Sequence, residues 1–433
     1  MKLAKFVFAA LGLATAFQVP GACSVYDESL VGGGGGAAGD SSTPGTCQPA
    51  KWPLKPAGTD LGGGNDFVTA LTMFDFGEPY TAADAGGPSQ PEWRDIGYDL
   101  DEACTIQTAA DGNINRDPTM QDPSTCDPLG VPGQQPRTGD LPGGRDNGLR
   151  SVIELVQTVL SEFGTPAYNA NIVTGRVSLL IGISDYNGQP DDDFITMTLY
   201  SPAEFNSIPE NAGARPKFNG SDLWPILKES FDRGDPNFPS FKSNRAWVRD
   251  NVVVAAISEL DLPLRIGISS QEVTNLQVRF NEPFLTARIG RDPETNLWKL
   301  TEGVIAARWA TDDLFDMLSR FPNPDIYPRA PGPGENPFFC AGPAGYYPII
   351  RQFICMSADI YSGGNAPGNP CDSLSVGIAF ESIEARLGPV VDSQPILNPC
   401  GAANPAEDSC ARVAQGLPPP SGAGDAGTDD GGS

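Results

Sequence analysis

The chain has 433 residues, 28 basic against 54 acidic, for a formal charge of −26. A surface this negative repels phosphate backbones and anionic headgroups, so no nucleic-acid partner is expected. Histidine is absent, which removes Ser-His and Cys-His nucleophile activation, histidine general bases and nearly all catalytic zinc sites.

Lys2 and Lys5 precede an apolar run from Phe6 to Phe17. This is a charged n-region followed by an h-region too short to span a bilayer, and residues 1–22 read as a signal peptide. Val19-Pro20-Gly21-Ala22-Cys23 resembles the lipobox of bacterial lipoproteins, with Pro20 where that pattern prefers Leu. The resemblance implies that Cys23 is acylated and becomes the mature N-terminus. Cleavage after Gly21 or Ala22 by the ordinary signal peptidase is the alternative. Cys23 to Leu30 also resembles the mature start of large secreted bacterial lipoproteins of unknown function. That implies an outer-membrane or cell-surface address reached through a lipid anchor, with a periplasmic or secreted protein as the alternative.

Residues 23–60 are the lipidated start and a flexible tether, rich in Gly, Ala, Ser and Pro from Val31 to Thr46. Gly34-x-Gly36-x-x-Gly39 has dinucleotide-fingerprint spacing, but no strand precedes it and no helix follows. Beyond Cys23, eight cysteines remain: Cys47, Cys104, Cys126, Cys340, Cys355, Cys371, Cys400 and Cys410. An even number in an exported chain implies disulfides, although eight thiols allow about 105 pairings. Locality favours Cys104–Cys126 and Cys400–Cys410. Cys340, Cys355 and Cys371 would then share one bond among themselves and one to Cys47.

Asp66 to Phe76 reads as a strand that carries Phe67, Leu71, Phe74 and Phe76 into the core. Residues 85–147 form an acidic, turn-rich insertion. Alternating Asp and Asn on loops suits a hard cation, which needs several carboxylate or amide oxygens close together. Asp99, Asp101, Asp111, Asn113, Asp117 and Asp146 are the candidate ligands, with Asp191 to Asp193 a separate candidate and Ca²⁺ the candidate cofactor. A solvated acidic loop with Asx turns is the plainer reading. Asn147 to Phe163 has helical spacing, with Asp146 or Asn147 as N-cap and Gly164 as its end.

From Ile172 to Tyr200, apolar residues alternate on both sides of Asp185–Asp193, which predicts an antiparallel hairpin with one buried face. Residues 201–244 read as irregular, with a short helical turn near Trp224 and Leu227. Strands are expected at 246–257, 262–268, 276–280, 284–289, 297–300 and 303–309. A short helix capped by Thr311-Asp312-Asp313 follows, then a helix from Tyr346 to Ile360, and a strand from Leu374 to Phe380.

The expected fold is mainly β with a few packed helices: an antiparallel β-sandwich or jelly-roll-like body, stapled by disulfides. Residues 61–321 form the sandwich, 322–415 a disulfide-rich helical and strand extension packed on it, and 416–433 a disordered tail. Such a protein is expected to be a non-enzymatic surface binding or structural protein whose ligand is calcium, a glycan or another envelope protein. The alternative is a carboxylate-dependent extracellular polysaccharide hydrolase, a chemistry that needs two carboxylates about 5–10 Å apart and no histidine.

Overall fold

The structure is a computed structural model. It describes residues 50–58, 63–77, 96–105, 124–131, 139–141, 143–257, 259–270, 272–327, 329–332, 335–365, 367–392 and 399–420. The body is mainly β. Among the described residues, ten strands form one sheet: β1 (Asn65–Asp75), β2 (Leu180–Tyr186), β3 (Asp192–Tyr200), β4 (Leu223–Leu227), β5 (Phe241–Arg249), β6 (Val252–Ala256), β7 (Glu259–Gly267), β8 (Val273–Arg291), β9 (Trp298–Ala310) and β10 (Ser373–Val391). The helices are α1 (Leu149–Val159), α2 (Thr165–Thr174), α3 (Thr311–Leu318), α4 (Tyr347–Met356) and α5 (Cys410–Ala414).

All strands but β4 and β7 form an antiparallel circuit, β1-β2-β3-β5-β6-β8-β9-β10, which closes because β1 also pairs with β10. Closure removes the free edges that an open sheet exposes. Facing residues carry one apolar face around the circuit: Phe67 opposite Ile183, Ile183 opposite Met197, Ala246 opposite Ala255, and Leu285 opposite Ile305. These residues belong to one continuous core, which runs on beneath the helices. The walls of the circuit thus enclose a shared apolar core, in keeping with the mainly β fold expected.

The hairpin from Ile172 to Tyr200 begins later than its alternation suggests. Gly164 and Pro166 start α2, and Gly175 ends it at φ 76°, where a Cβ would lie 2.6 Å from Phe205 Cβ. Ile172 is therefore buried from a helix, and the strand starts at Leu180. Val177, Leu179, Ile181 and Ile183 still enter the main core. The opposite face is buried too: Leu180 and Tyr200 pack with Ala70, Trp224 and Ile226. The cover comes from β4, a strand where an irregular stretch was expected, lying parallel to the far end of β10.

The expected strands at 276–280 and 284–289 are one strand, β8, with a register shift between Asn281 and Phe284 and Glu282 at φ 46°. Those at 297–300 and 303–309 are likewise one, β9, with Glu302 at φ 51°. A bulge inserts an unpaired residue and bends a strand without ending it, so sequence alternation breaks where pairing does not. The first half of β8 projects from the circuit and pairs with β7. The long helix expected over 147–163 stops at Val159. Its N-cap is Gly148 without a side-chain cap, because Asp146 and Asn147 bond elsewhere.

The disulfides are Cys126–Cys371, Cys340–Cys400 and Cys355–Cys410. Cys104 is also disulfide-bonded. The expected Cys104–Cys126 and Cys400–Cys410 bonds do not form: Cys126 takes a partner 245 residues away, and Cys400 and Cys410 each tie back to the α4 region. Proximity along the chain failed because the sheet circuit, rather than the local loop, sets which cysteines meet. Paired thiols on this scale mark an oxidising extracellular or periplasmic compartment. Among the described residues no helix is long and apolar enough to cross a membrane.

Candidate metal centre

The segment 96–105 lies across the outer face of β9. There Tyr98, Leu100 and Ile360 cover Val304 and Ala306, and Trp52 stacks on Phe284 with ring centroids 4.0 Å apart. The segment is pinned at several points. Tyr98 Oη hydrogen-bonds Thr286 Oγ1 at 2.9 Å, and Arg308 Nη2 donates to the Leu100 carbonyl at 2.6 Å. The Asp99 amide donates to the Ala50 carbonyl at 2.9 Å. A second segment, 139–147, crosses it at Asp146, whose amide donates to the Tyr98 carbonyl at 3.0 Å. The approach requires glycine at 97: at φ 129°, a Cβ there would stand 2.7 Å from the Asp146 carbonyl oxygen.

This crossing brings Asp99, Asp101 and Asp146 together. One carboxylate oxygen from each lies within 4.8 Å of the others, and all three residues are buried. Asp101 accepts from Thr125 Oγ1 at 2.6 Å and from the Ala103 amide at 3.1 Å. Asp146 Oδ2 accepts from the Leu100 amide at 2.6 Å. Among the described residues, no donor reaches hydrogen-bonding geometry with Asp146 Oδ1 or with either oxygen of Asp99, which is only 2% exposed.

Two more carboxyls flank the cluster. Asp140 accepts from the Thr105 amide at 2.6 Å. Asp359 accepts from the Ser375 amide at 2.7 Å and from Ser375 Oγ at 2.5 Å.

Burial is the largest cause of the raised carboxyl pKa at every one of these positions. Asp99 is raised to about 7 by burial and by the charge of Asp101, against the pull of the nearby Glu102 and Ala103 amides and of Lys51. Asp359 is also raised to about 7, with Ser375 opposing. Burial and then neighbouring carboxylates hold Asp140 and Asp146 well above the usual range. Asp101 is raised less freely, because Thr125, the Ala103 amide and Arg308 favour its charged form.

Unmet oxygens on a buried carboxylate are costly unless a proton or a cation meets them. Ligands on opposite sides of a calcium ion stand about 4.6–5.2 Å apart, twice the Ca–O distance of about 2.3–2.6 Å. Oxygens no more than 4.8 Å apart therefore fit around one such ion.

Of the six candidate ligands read from the sequence, Asp99, Asp101 and Asp146 converge here; Asp111, Asn113 and Asp117 lie outside the described residues. Among the described residues, the separate candidate at 191–193 does not form a cluster of three carboxylates. Asp191 accepts from the Asp250 amide at 2.9 Å and Asp192 from the Asn187 amide at 2.7 Å, so both shape turns. Asp359 has no loop pattern in the sequence to mark it; its one local hint is that it is a carboxylate in an otherwise apolar stretch after α4.

The described tryptophans are all buried or half-buried, Trp247 donating from Nε1 to the Pro53 carbonyl at 3.1 Å and Trp298 stacking on Phe67. No protein-family model, curated protein or solved structure matches the chain.

Proposed function

We propose that this chain is an exported, non-enzymatic binding protein of the cell envelope whose Asp99, Asp101 and Asp146 hold a calcium ion. One observation carries the reading: Asp99 is buried, neither of its oxygens has a well-aligned donor among the described residues, and it lies within reach of two other buried aspartates. Calcium suits the site better than magnesium, which keeps several of its waters and so needs more room than an enclosed cluster offers. Bound there, the ion would pin segments 96–105 and 139–147 to the outer face of β9. The role is structural, in the manner of calcium sites in extracellular modules, where affinities of about 0.1–1 mM are usual.

The glycan reading draws no support from the described tryptophans, since a sugar platform needs an exposed ring; Trp93 lies outside the described residues. The hydrolase alternative is less favoured at this cluster because Asp99, Asp101 and Asp146 are all buried. Equilibrium dialysis with radioactive calcium tests the proposal: one ion per wild-type chain at about 1–10 mM and none in Asp99→Asn. Wild-type protein that retains no ion at those concentrations rejects it.

The proposed address is the outer membrane or cell surface, through acylation of Cys23, and Gly21-Ala22-Cys23 is the support for it. Globomycin or Cys23→Ala should then release the protein from membranes, and unchanged membrane association would count against the anchor.

A further inference from the structure

The aspartate cluster is bordered by sulfur. Cys126 and Cys371 are joined and buried, with Ala358 packed against them. Thr125, next to Cys126, donates from Oγ1 to Asp101 Oδ2 at 2.6 Å. Cys126 Sγ lies 3.4 Å from the carbonyl oxygen of Asp359, whose carboxyl flanks the cluster. From the loop that leads to Cys371, Asn365 Nδ2 donates to the Asp101 carbonyl.

Segment 124–131 is irregular, with a single bridge between Asp127 and Pro370. Beside the disulfide, the Asp127 amide donates to the Asn369 carbonyl at 2.7 Å and the Cys371 amide to the Asp127 carbonyl at 2.9 Å. The bond thus closes a clamp over Asp101. Cys104, which closely follows Asp101, is disulfide-bonded as well. Its Sγ sits against Gly144, just before Asp146, where a Cβ would stand 2.9 Å from the sulfur.

We propose that the Cys126–Cys371 disulfide completes the calcium site: tight binding at Asp99, Asp101 and Asp146 sets in only once these sulfurs are joined, and bound calcium shields the bond from thiols. Thr125 is the positioning residue between bond and ligand. The coupling rests on the calcium reading of the cluster and adds its regulation: in a reducing compartment the chain carries no calcium, and oxidation completes the site. The mechanism is steric. The two sulfurs are 2% and 0% exposed, and a thiolate must reach a sulfur to exchange with it. Access requires segment 124–131 to lift, which takes Thr125 from Asp101, and an ion held by Asp101 resists that. Coupling of this kind is reciprocal, so the factor the disulfide adds to calcium affinity is the factor calcium adds against reduction.

The test uses the oxidised full chain and calcium alone. Equilibrium dialysis should give a Kd raised about 10–100-fold in Cys126→Ser/Cys371→Ser and in Thr125→Val, with Thr125→Ser keeping the hydroxyl and the wild-type Kd. Thr125→Val retains the disulfide, so its result stands even where the double variant fails to fold. In a second arm, the wild type is equilibrated with dithiothreitol, with and without calcium. The reagent supplies the electron pair and the protons, so the S–S bond becomes a pair of thiols while the reagent closes to its cyclic disulfide. Alkylation and peptide mass spectrometry read each bond. Calcium should lower the reduced fraction of Cys126–Cys371 and leave that of Cys340–Cys400, which ties segments without the aspartates, unchanged. Unchanged calcium affinity in Thr125→Val overturns the coupling while the calcium site stands. So does a reduced fraction that calcium shifts equally in both bonds, or in neither. Oxidised wild type that binds no calcium rejects the site and the coupling with it.

Discussion

Replacing Asp99 by Asn keeps the shape of the side chain and removes its charge, and the size of the effect follows from the geometry. Two unit charges 4.8 Å apart repel by about 3.5 kcal/mol at an effective dielectric of about 20. Three ionised aspartates make three such pairs, about 10 kcal/mol, as much as the whole stability of a typical domain. The cluster must therefore hold protons or a cation. In EDTA at pH 8, Asp99→Asn removes two of the three repulsions. Solvent screening and residual protonation trim the gain to about 2–3 kcal/mol. At about 2.1 cal/mol/K per residue, that raises the melting temperature by roughly 2–3 °C for a chain of this length. Calcium at 100 times its Kd adds about 2.7 kcal/mol to the wild type, roughly 3 °C, and little to the variant. Scanning calorimetry with and without about 10 mM calcium should thus show the variant ahead in EDTA and its lead cut by roughly half or more in calcium. If Asp99→Asn is destabilised equally in EDTA and in calcium, the carboxylate is an ordinary structural group and the reasoning fails.

Three further outcomes are expected. The fully buried Asp359, raised from 3.8 to about 7, keeps a proton in the folded state that the unfolded chain releases. Its stabilising contribution is complete below pH 4 and is lost as pH rises through about 7, a change of up to about 4 kcal/mol. Calcium-free protein should therefore melt at a lower temperature at pH 8 than at pH 5, and a flat or rising profile would contradict the burial argument. Peptide mapping without reduction should recover Cys126–Cys371, Cys340–Cys400 and Cys355–Cys410. Cys126→Ser, which opens a loop of sequence separation 245, should cost about 2–5 kcal/mol in denaturant titration. Asp408 is enclosed and accepts from Arg351 Nη2 at 2.8 Å and from the Tyr347 hydroxyl at 3.1 Å. Asp408→Ala strands a buried guanidinium and should cost about 3–5 kcal/mol; a loss below 1 kcal/mol would mean that water reaches the site.

The sequence by itself determined the class of the fold and the chemistry open to it. Period-two alternation at Ile181, Ile183, Ile195, Met197 and Leu199 is local, because a strand's two faces are set by its own backbone, and all five residues reached the core. The lack of histidine and the even thiol count after Cys23 were equally plain from composition. Within the acidic insertion, Asp99, Asp101 and Asp146 stood out by residue type. Tertiary structure decided the rest. The closing β1–β10 pair joins strands some 300 residues apart, β4 is ordered by lying beside β10, and bulges at Glu282 and Glu302 fuse strands that alternation divides. Asp359 flanks the cluster, and Cys371 reaches Cys126, only because the circuit returns the chain to β9. A strand carries its own face in its residue order. Which loops meet outside it depends on closure, and closure is a property of the whole sheet.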